Sequence, residues 1–233
     1  WIAPGAWILF FTQSLALGLP AIPVYLYARR RLESDWIGLM MGLVYLLHPA
    51  VSWTNMENFH PDSYVALFVS IALYGALERR WRVYAVGVAL ALLVKEDVVL
   101  VLAPLGAWVA VRRDWRRGLQ TIGAAILVTL FGMYVVMRGL IGVPTRNAWR
   151  IPFGGPKGLI TTTLRNPTRL ADHLRSEGRL WYLWQMTSPV AVMFARFPEV
   201  AAISFLVLFT NILSTYWYQF QIEYHYSLIA VPA

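Results

Sequence analysis

Apolar stretches alternate with short charged or turn-rich connectors along nearly the whole chain. A helix that crosses a bilayer needs about 20 apolar residues. The pattern predicts spans at roughly 7–28, 36–52, 62–77, 83–94, 98–111, 118–140, 180–195 and 199–214, with a ninth beginning near 226. The expected fold class is all-α, a polytopic transmembrane helical bundle forming a single domain over residues 1–233.

Three connectors carry clustered arginines: Arg29, Arg30 and Arg31; Arg79, Arg80 and Arg82; and Arg112, Arg113, Arg116 and Arg117. They share one face only if the segments between them pair as hairpins, and the excess of basic residues in cytoplasmic loops makes that face cytoplasmic. The stretch from Val83 to Val111 tests this scheme, because its only charges are the consecutive Lys95, Glu96 and Asp97. As one helix it would be about 43 Å long and would put two arginine clusters on opposite faces. A hairpin turning at 95–97 removes both problems. Its arms of about 12 and 14 residues reach only about 18–21 Å, so the three charges are expected below the outer surface, on the floor of a polar cavity.

The 141–179 segment is the one sizeable stretch outside the membrane, and on this topology it is extracytoplasmic. Gly142, Pro144, Pro152, Gly154, Gly155 and Pro156 give it turn chemistry. A juxtamembrane amphipathic helix follows, broken near Asn166-Pro167, with Leu159, Leu164, Leu170 and Leu174 among Arg165, Arg169 and Arg175.

Composition strengthens the membrane reading. Hydrophobic residues make up 58% of the chain and charged ones 14%, against roughly 25% charged in soluble domains. Eleven Trp and twelve Tyr suit the two interfacial belts of a bilayer. The net charge of +8 raises a nucleic-acid reading, but the arginines fall between apolar segments instead of along one face, so no nucleic-acid partner is expected. With no cysteine, thiolate catalysis, disulfides and cysteine metal sites are excluded. The chain begins at Trp1 and ends at Ala233 within an apolar stretch, and is read as a fragment lacking its N-terminal helices.

Ionisable residues at membrane depth are costly and mark candidate sites. One group is Glu57, Asn58, His60 and Asp62, which either holds a metal or a sugar hydroxyl, or else reduces to Asp62 capping the third span. A second is Lys95, Glu96 and Asp97, which supplies a base, a cation-binding carboxylate or, more plainly, a solvated turn. A third runs from Tyr216 to Tyr226 and includes Gln219, Gln221, Glu223 and His225, either an aromatic belt or a sugar-binding surface. The hairpin topology brings all three to the same outer face.

At Phe59-His60-Pro61-Asp62, Lys95-Glu96-Asp97, Pro198-Glu199, Asn211-Ile212-Leu213-Ser214 and His225-Tyr226, the chain resembles a family of predicted polytopic membrane proteins of unknown function. That family in turn looks like the GT-C superfamily of membrane glycosyltransferases. The second resemblance is one of fold, so the function it implies is an analogy. It implies a polyprenyl-phosphate-linked sugar donor, an active face outside the cytoplasm in a multi-pass cell-membrane protein, and sometimes a divalent metal (Mg, Mn or Zn). The residues expected to carry chemistry are then Lys95, Glu96 and Asp97. Glu57, His60, Asp62, Arg146, Arg150, Glu223 and His225 are expected to hold substrate, with Asp62 and His60 as metal ligands. GT-C enzymes usually carry an essential acidic residue in the first outer loop, just after the first membrane helix; this chain is read as starting later, so the general base is expected in the missing N-terminal part. Two rivals belong to other classes: a transporter or flippase of lipid-linked or small polar substrates, and a scaffold subunit.

Overall fold

The structure, a computed structural model, describes residues 5–143, 148–190, 193–228 and 230–231, all as helices, turns and connectors without a strand among them. α1 (Trp7–Gly18) and α2 (Ala21–Leu32) run on as one 26-residue apolar helix. α3 (Asp35–Leu46) starts under a Ser34 cap, whose hydroxyl accepts from the Ile37 amide at 3.3 Å. It then bends by 49° into α4 (Pro49–Met56) at His48-Pro49, where proline has no amide to continue the helical ladder.

α5 (Asp62–Leu77) packs antiparallel to α6 (Trp81–Leu92), and α7 (Val99–Arg112) to α8 (Trp115–Leu130). α8 continues as a π-helix over Phe131–Ile141. Beyond it lie α9 (Pro156–Arg165), α10 (Pro167–Arg175), α11 (Arg179–Thr187), the single turn α12 (Met193–Arg196) and α13 (Pro198–Leu213). Asn166 caps α10 as the Asn-Pro pair predicts, its side-chain oxygen accepting from the Arg169 amide at 3.3 Å.

The polarity is that of a membrane bundle. α8 buries only Gly118, Thr121 and Ala125, while Leu127, Phe131, Leu140 and Ile141 face outward. Apolar side chains covering the outside have no hydrophobic gain in water and require lipid. α5 is central, with Val65, Ala66, Val69, Ala72 and Ala76 fully buried against its neighbours.

The expected spans differ in length. Among the described residues, Trp7–Leu32 and Trp115–Ile141 are long and apolar enough to cross a membrane, and the bent α3–α4 pair makes a third. α5, α6 and α13 are apolar but have only 16, 12 and 16 residues. The segment expected as a span at 180–195 is broken after nine helical residues by a 3-10 turn at Ser188–Val190. The ninth span does not open near 226. His225–Ser227 forms a 3-10 turn instead, and the buried Leu228 and Ala230 fold back against the bundle. Hydropathy alone cannot separate a crossing helix from an apolar segment that packs inside the bundle.

The expected hairpin topology is the one observed. Arg30 pairs with Glu78, which joins the first two arginine connectors. The Arg117 guanidinium lies 4.4 Å from the Trp81 ring centroid, joining the second to the third. Tyr84 and Thr121 share a 2.6 Å hydrogen bond near this end, whereas Thr129 reaches the Glu96 carbonyl at 2.7 Å near the other. All three arginine clusters therefore share one end of the bundle, and residues 95–97 occupy the opposite end.

Candidate functional site

The site is built where the α4–α5 connector, the α6–α7 corner and the turns after α13 meet. α6 ends at Leu92 and α7 begins at Val99, so the corner between them is a turn followed by a single 3-10 turn at Glu96–Val98. Asp62, the first residue of α5, makes no capping bond. Its carboxylate instead accepts from Lys95 Nζ at 2.8 Å, and Asp97 accepts from the other side at 3.1 Å. One ammonium group is thus clamped between two carboxylates. The Asp62 side chain is 7% exposed, that of Lys95 26% and that of Asp97 35%, so solvent reaches the triplet in part and Asp62 hardly at all. Asp97 Oδ1 is buried without a partner.

Burial disfavours a charge on Lys95, but Asp97 and Asp62 outweigh it, and the ammonium pKa moves up. Burial pushes the Asp97 carboxyl above the ordinary carboxylate range, with Asp62 adding and Lys95 opposing. The Tyr226 ring centroid lies 5.8 Å from Lys95 Nζ on a further side.

These groups form the polar wall of a cavity of about 770 Å³. Glu96, Gln219 and Arg150 join the polar wall, and Leu100, Met133, Leu159, Ile160 and Val207 make the apolar one. Arg150 is held by its stacking partners, 5.2 Å from the Trp149 centroid and 4.7 Å from that of Tyr216. Its Nε makes no hydrogen bond among the described residues. The 148–150 turn docks through its backbone, with the Thr215 amide donating to the Arg150 carbonyl at 2.8 Å. α9 thus closes over the cavity, carrying Leu159 and Ile160 in its wall.

Beside Asp62, three further candidates gather. His60 and His225 stack at 3.8 Å between centroids, and Glu57 lies against both. Burial lowers the His225 pKa to about 4, with His60 and Lys95 adding and Asp62 opposing. The metal pair expected from the sequence is thus regrouped: His60 clusters with Glu57 and His225, while Asp62 is engaged by Lys95. Glu223 is exposed and lies outside the cavity wall. Arg146 falls outside the described residues. The aromatic run packs mainly on itself, Tyr218 and Tyr224 at 4.7 Å and Tyr216 and Tyr218 at 5.2 Å.

Further buried polar residues position the site, among them Asn211 of the Asn211-Ile212-Leu213-Ser214 motif. Gln13, fully buried in the first span, accepts from the His60 amide at 2.7 Å and donates to the Thr54 carbonyl at 3.1 Å. Asn211 donates to Tyr182 Oη at 2.9 Å and to the Tyr226 carbonyl at 3.2 Å, which ties the Tyr226 backbone to α13. Arg179, 1% exposed, donates to the Ile212 and Ser214 carbonyls at 2.9 and 3.0 Å and so satisfies the end of α13. A lone amide inside an apolar helix was the available signal for Gln13 and Asn211.

An apolar exterior, hairpin-paired helices and a charged cavity at one end define a polytopic helical membrane protein. Over residues 1–233 the chain matches the family described as Predicted membrane protein (DUF2079), and it belongs to that family. Neither a curated protein nor a solved structure matches it.

Proposed function

We infer that the protein transfers a sugar from a polyprenyl-phosphate donor to an acceptor hydroxyl at the extracytoplasmic face of the cell membrane. The single observation that carries this reading is the two-faced cavity. Arg150 offers a cationic donor, and Lys95 one shared with Asp62 and Asp97, beside an apolar wall of Leu100, Met133, Leu159 and Ile160, an arrangement suited to an amphiphile with a polar, anionic head. The arginine connectors at the other end support the orientation, since basic loops stay in the cytoplasm. The likeness to GT-C glycosyltransferases enters here as an analogy of fold.

In this mechanism Asp97 or Glu96 takes the proton of the acceptor hydroxyl, and the oxygen attacks the anomeric carbon of the donor. The bond from that carbon to the phosphate oxygen breaks, and its electron pair leaves with the lipid phosphate. Lys95 and Arg150 stabilise the departing phosphate, Arg150 through its planar fork. Asp97 suits the role because its burial raises its basicity and one of its oxygens has no partner.

The test is turnover of a lipid-linked sugar by the full-length protein in proteoliposomes. The Glu96→Ala and Asp97→Ala double variant is expected to lose turnover while still inserting and eluting as a single species. Unchanged turnover in that variant, or movement of the intact donor across the bilayer without cleavage of its sugar–phosphate bond, refutes the proposal.

A further inference from the structure

We propose that Glu57, His60 and His225 form a zinc site that ties the α4–α5 connector to the turns after α13. The proposal stands apart from glycosyl transfer and rests on three donor atoms that the fold buries together without partners. Among the described residues, His60 Nε2, His225 Nδ1 and Glu57 Oε2 are each shielded from solvent and make no hydrogen bond. Buried polar atoms of this kind are few in folded proteins and call for an explanation, an absent ion being one of the standard ones.

The geometry suits a small cation. Glu57 Oε1 lies 3.4 Å from His60 Nε2, and Glu57 Oε2 lies 3.8 Å from His225 Nδ1. One ligand atom from each residue falls within 4.8 Å of the others. Tetrahedral zinc with bonds of about 2.0–2.1 Å separates its ligands by about 3.4 Å, so small side-chain rotations close the set. Two imidazoles with one carboxylate are a donor set that favours zinc over magnesium or calcium, which prefer all-oxygen shells. Three protein ligands leave a fourth position for water. The two imidazoles stack at 3.8 Å between centroids, and a tilt of one ring away from the other turns both in-plane lone pairs toward a common ion.

The surroundings hold the ligands in place. Gln13 accepts from the His60 amide at 2.7 Å and so anchors the connector from the first span. Tyr226 follows His225 directly, and Asn211 grips its carbonyl at 3.2 Å. Asp62, two residues beyond His60, is already committed to Lys95 at 2.8 Å and is not needed as a ligand. The site joins segments far apart in the chain, and its consequence is positional. It holds Asp62 and Tyr226 at the edge of the cavity they line.

The experiment loads the purified full-length protein with zinc, removes excess by desalting, and measures bound metal by mass spectrometry. One zinc per chain is expected in the wild type. Glu57→Gln, His60→Ala and His225→Ala should each lose most of it, whereas Glu223→Gln, a nearby exposed carboxylate, should keep it. Cobalt substitution gives a second readout, with visible absorption bands in the wild type that vanish in Glu57→Gln, a variant of nearly unchanged shape. Elution as a single species shows that a variant is folded. A wild type that holds no zinc, or a folded Glu57→Gln with full zinc and an unchanged cobalt spectrum, overturns the proposal. Sugar turnover is not the readout, so either reading can fail while the other stands.

Discussion

Among the described residues, Lys95 is the one ammonium group between Asp62 and Asp97. Its ammonium group compensates Asp62, which is nearly buried, and Asp97, which is about one-third exposed. Removing one member of a buried pair strands the other, at a cost of about 3 kcal/mol. Lys95→Met is therefore expected to lower the thermal unfolding midpoint in detergent, and adding Asp62→Asn to it should recover part of the loss. A midpoint unmoved by Lys95→Met would show that water already reaches the pair. Because the folded-state pKa of Lys95 is raised, its contribution is fully present below the ordinary lysine value of 10.5 and is lost only as pH climbs through the higher folded value. Asp97 titrates at the other end of the scale. With its pKa raised, the base form accumulates later than in an ordinary carboxylate, so sugar turnover should rise with pH through that elevated range to a plateau, and Asp97→Asn should remove the rise.

Close helix packing explains how short helices keep the site rigid. At Gly118 in α8, an added Cβ would stand 2.5 Å from Ala110 Cα and nearer still to the Ala110 nitrogen, so α7 and α8 touch backbone to backbone. Small residues at such crossings are how membrane helices associate without a hydrophobic driving force. Gly118→Val should destabilise the bundle by about 1–3 kcal/mol, because backbone rather than a flexible side chain must move. Gly123 in the same helix meets nothing within 4 Å, so Gly123→Ala should be neutral or stabilising by up to about 1 kcal/mol. Unfolding of both variants in the same detergent distinguishes packing from helix propensity. Equal losses would sink the close-approach argument. The α6–α7 corner depends on this crossing, since α7 is the arm that carries residues 95–97 down from the arginine end.

For the whole molecule, the decisive property is that the arginine connectors share one end and the ionisable clusters the other. The chain has no cysteine, which makes single-cysteine labelling clean. Arg79→Cys and Arg116→Cys should react with a membrane-impermeant maleimide only after the cells are opened, and Glu223→Cys should react in intact cells. Labelling of Arg79→Cys and Arg116→Cys from opposite sides would dissolve the shared cavity.

Much of this organisation was legible in the sequence, because hydropathy, turn chemistry and clustered arginines act over short stretches of chain. The lone charged triplet between two arginine clusters had to turn, and Asn166-Pro167 had to break its helix. The helical class, the membrane character, the common end of the basic connectors and the corner at 95–97 all follow from such local rules. Which residues touch does not. That Asp62 binds Lys95 instead of capping α5, that His60 joins Glu57 and His225, that Glu223 stays outside, and that His225–Ser227 form a turn with Leu228 and Ala230 buried were decided by tertiary structure. Those partnerships depend on distances of a few ångströms between segments remote in the chain, set by helix crossing and bending, and a linear pattern carries no record of them.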